Sequence, residues 1–206
     1  MESNPEFEVM ERKATITVPH QGKKITFVAD CIGPSPYDDA GERINHGGLL
    51  KPTFAEVTSL IYSATRNKDD RYALIVLSII RNNRLWGFNT VIFEPERGAF
   101  ISDRNREHVC VPFGFKGGEN SLEELVRNRF VLALAEGEEG AEKLAKIAES
   151  LKQKPYVRCP EPVDKTTTRV ASLGSGGRGE LGQLGIHCDF YYGGNDYSGC
   201  AYGLVK

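Results

Sequence analysis

The chain has 206 residues, 40% of them hydrophobic, and a formal net charge of −2. That is one domain with enough apolar material for a real core, and it lacks the basic excess of a nucleic-acid footprint. Its longest nearly pure apolar run, residues 73–80, is far too short to span a membrane.

The opening MESNPEFEVMERK is acidic and polar, not a secretory signal, so a cytoplasmic or a virion- or surface-associated protein is expected. ATITV (14–18) and KITFV (24–28) alternate β-branched residues around Pro-His-Gln-Gly, which predicts a hairpin. Residues 30–50, rich in Gly, Pro and Asp, read as an irregular loop. Thr53 with Glu56 has capping-box spacing and starts a helix to about Thr65. Asp69 and Asp70 start a second, through about Arg84, apolar nearly all round and therefore expected to be deeply buried. Trp86, the only tryptophan, reads as a core anchor.

NTVIF (89–93), a turn at 95–98 and residues 99–102 predict a second hairpin, and VCVPFGF (109–115) a short extended piece. Ser121 with Glu124 caps a helix to about Ala135. Residues 141–151 form an amphipathic helix stopped by Pro155. TTTRVASL (166–173) and residues 184–192 are strand-like. A Gly-Gly-Asn-Asp turn at 193–196 then leads to a returning segment, 197–205. Hairpins and helices followed by a strand-rich end give an α+β pattern with an antiparallel sheet.

The glycine-rich stretch 174–200 differs from the rest: nine of its 27 residues are glycine. Residues 1–169 hold 11 lysines and 18 glutamates. At that rate the 36 residues from Val170 to Val205 would carry about six, yet they carry only Glu180. Randomising the two adenines of an asparagine codon yields Asn, Asp, Ser, Gly, Tyr, Cys, His, Arg and small or apolar residues, but never Lys, Glu, Gln, Met or Trp. The segment keeps almost entirely to that set, with Glu180 and Gln183 outside it. A low-complexity Gly/Ser/Tyr loop is the competing explanation.

The segments VPFGFKGGENSLEELVRNRFVLALA, EEGAEKLAKIA, KPYVR, TTTRVASL and the terminal AYGLV resemble archaeal-type variable proteins of diversity-generating retroelements. Such systems copy a template into the 3′ end of a target gene with adenine-directed errors, and the product displays the varied residues on a C-type lectin fold. The resemblance covers about 53–206. It implies a C-type lectin-like domain there, with a variable region at about 169–205, preceded by a hairpin and loop elaboration over 1–52. It further implies that Arg169, Val170, Ala171, Leu173 and residues 201–205 are framing strands, and that Leu181, Leu184 and Ile186 are scaffold contacts.

The ligand-facing candidates are Ser175, Arg178, His187, Asp189, Tyr191, Tyr192, Asn195, Asp196, Tyr197 and Ser198. Alternation puts Ile186, Cys188, Phe190 and Tyr192 on one strand face and His187, Asp189 and Tyr191 on the other. Tyrosine among Ser, Gly, Asn and Asp is also the vocabulary of antibody paratopes. The expected partner is a protein or surface glycoconjugate, with no nucleic acid, cofactor or metal.

Rival chemistries are weaker. The five cysteines (31, 110, 159, 188, 200) are odd in number and contain no C-x-x-C, so free thiols are expected, although Cys188 and Cys200 could meet across a hairpin. His187 and Cys188 point to opposite faces of a strand, so the histidine does not activate the thiol. Asn195-Asp196 lacks the acidic partners of a calcium site, and GSGGRG lacks P-loop spacing. A cysteine-dependent enzyme on a related scaffold and a virion or structural attachment protein are the alternatives.

Overall fold

The computed structural model describes residues 8–10, 14–159, 163–175, 182–191 and 198–206. Strands β1 (Glu8–Met10), β2 (Thr15–His20) and β3 (Lys23–Val28) form a three-stranded antiparallel sheet. The predicted hairpin turns at Gln21-Gly22, both at positive φ (47° and 73°), the geometry of a tight two-residue loop. Ile16, Val18 and Phe27 alternate inward to the main core.

Residues 30–50 are not an irregular loop: they contain β4 (Ile32–Ser35) and α1 (Tyr37–His46). Their prolines and glycines mislead only in isolation. Pro34 lies on a strand at the end of the main sheet, where a missing N–H is tolerated, and Pro36 precedes the helix. Ala40 and Ile44, four residues apart, supply the buried stripe of α1.

The capping boxes form as predicted. Thr53 N–H donates to Glu56 Oε2 at 2.7 Å and Glu56 N–H to Thr53 Oγ1 at 3.2 Å, starting α2 (Phe54–Arg66). Asp70 accepts from the N–H groups of Tyr72 and Ala73 and starts α3 (Arg71–Asn82). Deep burial of α3 on all sides is not observed. Ala73, Val76, Leu77 and Ile80 pack inward, while Leu74 and Ile75 are 53% and 39% exposed. The i, i+3, i+4, i+7 spacing covers one side of a helix that lies at the surface, whatever the other side carries.

Strands β5 (Arg84–Glu94), β6 (Gly98–Asp103), β7 (Arg106–Val111) and β8 (Gly118–Glu119) follow. The helix expected over 121–135 is two, α4 (Leu122–Arg127) and α5 (Arg129–Leu134). Asn128 between them adopts an extended conformation, and its side chain accepts from Phe130 and Val131 N–H, ending one helix and capping the next. α6 (Glu138–Leu151) begins a turn earlier than predicted. β9 (Lys154–Arg158), β10 (Thr167–Ser175), β11 (Gln183–Tyr191) and β12 (Gly199–Ala201) complete the chain.

The main sheet runs β4-β12-β5-β10-β11-β9-β8, with β6 also on β5 and β7 on β6. Most pairings are antiparallel; β11 with β9 and β12 with β5 are parallel. The final segment therefore does not return beside β11. β12 lies between β4 and β5, with β5 and β10 separating it from β11, and the predicted 193–196 turn is outside the described residues. One core holds α2, α3, α5 and α6 residues with the inward side chains of β5, β10 and β11. A smaller cluster contains Ala40 and Ile44 of α1 together with Trp86, Phe88, Val170, Phe190 and Ala201. Across the boundary expected at residue 52, Val28 N–H donates to Gly203 O and Val205 N–H to Thr26 O, at 2.9 and 2.8 Å. No helix among the described residues is long and apolar enough to cross a membrane.

A polar clamp fixes the hairpin to the helices. His20 Nδ1 lies 2.9 Å from Ser59 Oγ of α2, which also accepts from Lys143 Nζ of α6 at 3.1 Å. His20 Nε2 faces Glu136 Oε2 at 4.0 Å. Burial lowers the His20 pKa below its ordinary 6.5, and Lys143 adds to this, against the opposing pull of Glu56, Glu136 and Glu139. At neutral pH the ring is then predominantly neutral. The sign follows from linkage: the unfolded chain takes up this proton at higher pH than the folded one. The contribution is intact above about pH 6.5 and falls as pH drops toward the lower folded value. Thermal midpoints measured from pH 7.5 to 5 should fall below about pH 6.5, and His20→Gln should flatten that part of the profile. An unchanged profile would remove His20 from the account.

Candidate functional site

The glycine-rich stretch is held by β10, β11 and β12. On the side facing the helices, Leu173, Leu184, Ile186 and Cys188 are fully buried. Leu184 and Ile186 are two of the three expected scaffold contacts, and the third, Leu181, lies outside the described residues.

The opposite face is built in rows across paired strands. Trp86, Ser172, His187 and Arg158 are in register, and beside them run Arg84, Gly174, Gly185 and Tyr156. Gly185 has a steric reason to be glycine: a Cβ there would lie 2.2 Å from His187 Nε2. Gly199 has a similar one, since its Cβ would meet Trp86 Cε2 at 2.7 Å.

The simple alternation predicted for β11 breaks. Its register against β10 slips between Val170 and Ser172, placing one extra residue between His187 and Phe190. Such a bulge re-aims the side chains beyond it. Phe190 thus joins the His187 face instead of sharing the Ile186 and Cys188 face. It contacts the His187 ring at 5.4 Å between centroids and meets Trp86 edge-on at 6.1 Å. The Arg84 guanidinium lies 4.0 Å from the Phe190 ring centroid.

The ten sequence candidates separate accordingly. Ser175 is buried, because it pairs with Leu184 and shares its helix-facing side. His187 is also buried, at 1% exposure, with Nδ1 3.6 Å from Asp189 Oδ1. Both depart from the expectation of an open binding position. Asp189 has a 37% exposed side chain, and Ser198 is exposed. The backbone of Tyr191 pairs with Arg169. Arg178, Tyr192, Asn195, Asp196, Tyr197 and the side chain of Tyr191 are outside the described residues.

Asp189 opens into a cleft of about 620 Å³ between β9 and the segment after β7. Phe113, Phe115 and Tyr156 wall it, with Arg158 and Cys159 alongside. The Arg158 guanidinium sits 4.8 Å from the Tyr156 ring centroid. Three aromatic rings, a guanidinium and a carboxylate offer stacking, a donor fork and an acceptor, which are means of binding. None of the first four was a sequence candidate. For Tyr156 and Arg158 the signal was the period-two alternation in KPYVR, where they share a face and Val157 takes the other, masked by Pro155 and the preceding helix.

Cys159 and Cys188, the cysteines at this site, offer little nucleophilic chemistry. Burial holds the Cys188 thiol well above its usual range, and burial with the Asp189 carboxylate pushes Cys159 up to about 11. The structure brings Cys200 beside Cys31 and Cys188 into the surroundings of Cys159, so the Cys188–Cys200 encounter left open by the sequence does not arise. Among the described residues no group of three or more His, Cys, Asp or Glu is placed to hold a metal.

No protein-family model matches the sequence, and no curated protein matches it either. Among solved structures the chain is similar to one described as "Accommodation of massive sequence variation in Nanoarchaeota by the C-type lectin fold". The match covers 96% of this chain and 100% of the other, at TM-score 0.56 and 11% identity. At that identity the likeness speaks to architecture, and the architecture is a C-type lectin fold.

Proposed function

We propose that this chain is a ligand-binding module whose C-terminal stretch, about 169–205, is diversified by a retroelement to recognise varied protein or surface-glycoconjugate targets. The observation that carries the reading is the loss of Lys and Glu from a polar segment whose apolar positions, Leu173, Leu184 and Ile186, are anchored in the core. Variation there can change what is presented without changing what is packed. Asp189, Tyr191, Tyr192, Asn195, Asp196, Tyr197, Ser198 and Arg178 are the binding positions in this proposal. Ser175 and His187, both buried, belong to the fixed frame in this proposal. Tyrosines contribute rigid contact area, and the small polar residues adapt to the target.

The test is genomic. A near-identical copy of the segment encoding 169–205 should lie near a reverse-transcriptase gene, differing from it only at adenines of the copy. In the copy, the triplets matching Gly185 and Gly199 should also read GGN, with no adenine in the first two positions to mutate, because a side chain at either site collides with His187 or Trp86. Absence of the repeat, or free variation at those two glycines, would overturn the proposal.

A further inference from the structure

The main sheet brings together two cysteines that are 169 positions apart in the chain. Cys31 stands immediately before β4, and Cys200 is the middle residue of β12. The two strands pair antiparallel, Ala201 opposite Ile32, with a register irregularity just before Ala201. In that register Cys31 and Cys200 are diagonal neighbours on one face. The backbones are close there: a Cβ on Gly33 would lie 3.2 Å from Cys200 Cα. The two thiols perturb each other electrostatically, and the Cys31 thiol donates to Ile32 O at 3.7 Å. Cys31 is partly exposed, whereas Cys200 is 3% exposed.

We infer that Cys31 and Cys200 form a reversible disulfide that locks β12 onto β4, a redox-modifiable staple at the exit of the glycine-rich stretch. The oxidant is a small-molecule disulfide such as glutathione disulfide. Cys31, the more exposed residue of the two, loses its proton and attacks one glutathione sulfur. The glutathione S–S bond breaks, the first glutathione leaves as thiolate and is protonated, and a mixed disulfide remains on Cys31. The Cys200 thiolate then attacks Cys31 Sγ and expels the second glutathione. Two thiol protons and two electrons leave the protein, one S–S bond forms, and one glutathione disulfide becomes two glutathiones.

The order of attack follows from access: Cys31 is partly exposed and meets the oxidant first, and nearly buried Cys200 loses its proton only as it resolves the mixed disulfide. Closure ties the residue just before β4 to a strand that begins one residue beyond exposed Ser198. The inference stands on the sheet register and does not depend on what the variable surface binds.

The experiment is oxidation of the dilute Cys110→Ser protein, which removes the one fully exposed thiol, with glutathione disulfide, followed by non-reducing peptide mapping and thermal melts. The expected result is a peptide pair joined through Cys31 and Cys200 and a rise in melting temperature on the order of 5–10 °C that a reducing agent reverses. Cys31→Ser and Cys200→Ser should each abolish that reversible rise. Oxidation that stops at a glutathione adduct, a bond between Cys159 and Cys188 instead, or a joined form with no reversible rise would overturn the inference. The map on the parent protein decides the bond even if one serine variant fails to fold.

Discussion

Trp86→Ala should lower the unfolding free energy by about 3–5 kcal/mol, the range for deleting a large buried aromatic side chain. The ring is 1% exposed and is touched from three directions. Tyr37 of α1 meets it edge-on at 5.6 Å, Phe190 of β11 does so at 6.1 Å, and its Nε1–H donates to Ser35 O of β4 at 3.2 Å. Gly199 lies against it from β12. Trp86 thus holds both ends of the stretch 191–198, although those ends belong to strands that do not pair with each other. Its loss leaves a cavity, orphans a buried carbonyl and frees both ends. Trp86→Phe keeps most of the apolar contact but not the donor, so about 1–2 kcal/mol is expected for it. Equilibrium denaturation of the two variants measures both losses. A cost below about 1 kcal/mol for the alanine variant would mean that the cluster is not the support described here.

Glu56→Ala should cost about 2–4 kcal/mol. Glu56 is 3% exposed and does two jobs. Its Oε2 accepts from Thr53 N–H to close the capping box, and its carboxylate takes both terminal nitrogens of Arg104, which follows β6. Removing one partner of a buried pair costs about 3–5 kcal/mol when the survivor is left buried. Arg104, at 27% side-chain exposure, keeps some water, which sets the lower range. Glu56→Gln retains an acceptor for the cap and should recover part of the loss. Equal destabilisation by the two substitutions would show that charge, not the cap, carries the effect.

The helices were largely legible because their signals are local. Thr53 with Glu56 and Ser121 with Glu124 place oxygens where orphan N–H groups need them, and both boxes form. The N-terminal hairpin was legible for the same reason. What escaped depends on partners distant in sequence. Pro34 and Pro36 look like loop residues until β4 is seen at the end of the sheet beside β12. β9 is only five residues long, and its parallel partner β11 lies some thirty residues on. Leu74 and Ile75 have the composition of buried residues, and only the placement of α3 exposes them.

The candidate site was legible as a segment but not as a set of side chains. Its composition marked it, and Leu184 and Ile186 are buried as expected, but so are Ser175 and His187 beside them. The bulge between His187 and Phe190 could not be read from alternation, so Phe190 took the wrong face and His187 was expected to be open. Gly185 and Gly199 belong to the codon-reachable set by type, but His187 and Trp86 leave them no room to vary. The cleft walls Phe113, Phe115, Tyr156 and Arg158 went unnoticed because they come from two separate segments before the glycine-rich stretch.

The central claim is that a packed frame carries a changeable surface. The most direct measurement compares two display libraries of this chain, each sorted for protease resistance and then panned against several unrelated purified proteins. One randomises Asp189, Tyr191, Tyr192, Asn195, Asp196, Tyr197 and Ser198; the other randomises Ser175, Gly185, His187 and Gly199. The predicted result is that most members of the first library stay folded and give different binders for different targets, while most of the second unfold. Equal loss of folding in both libraries, or a folded first library that yields no target-specific binders, would contradict the account.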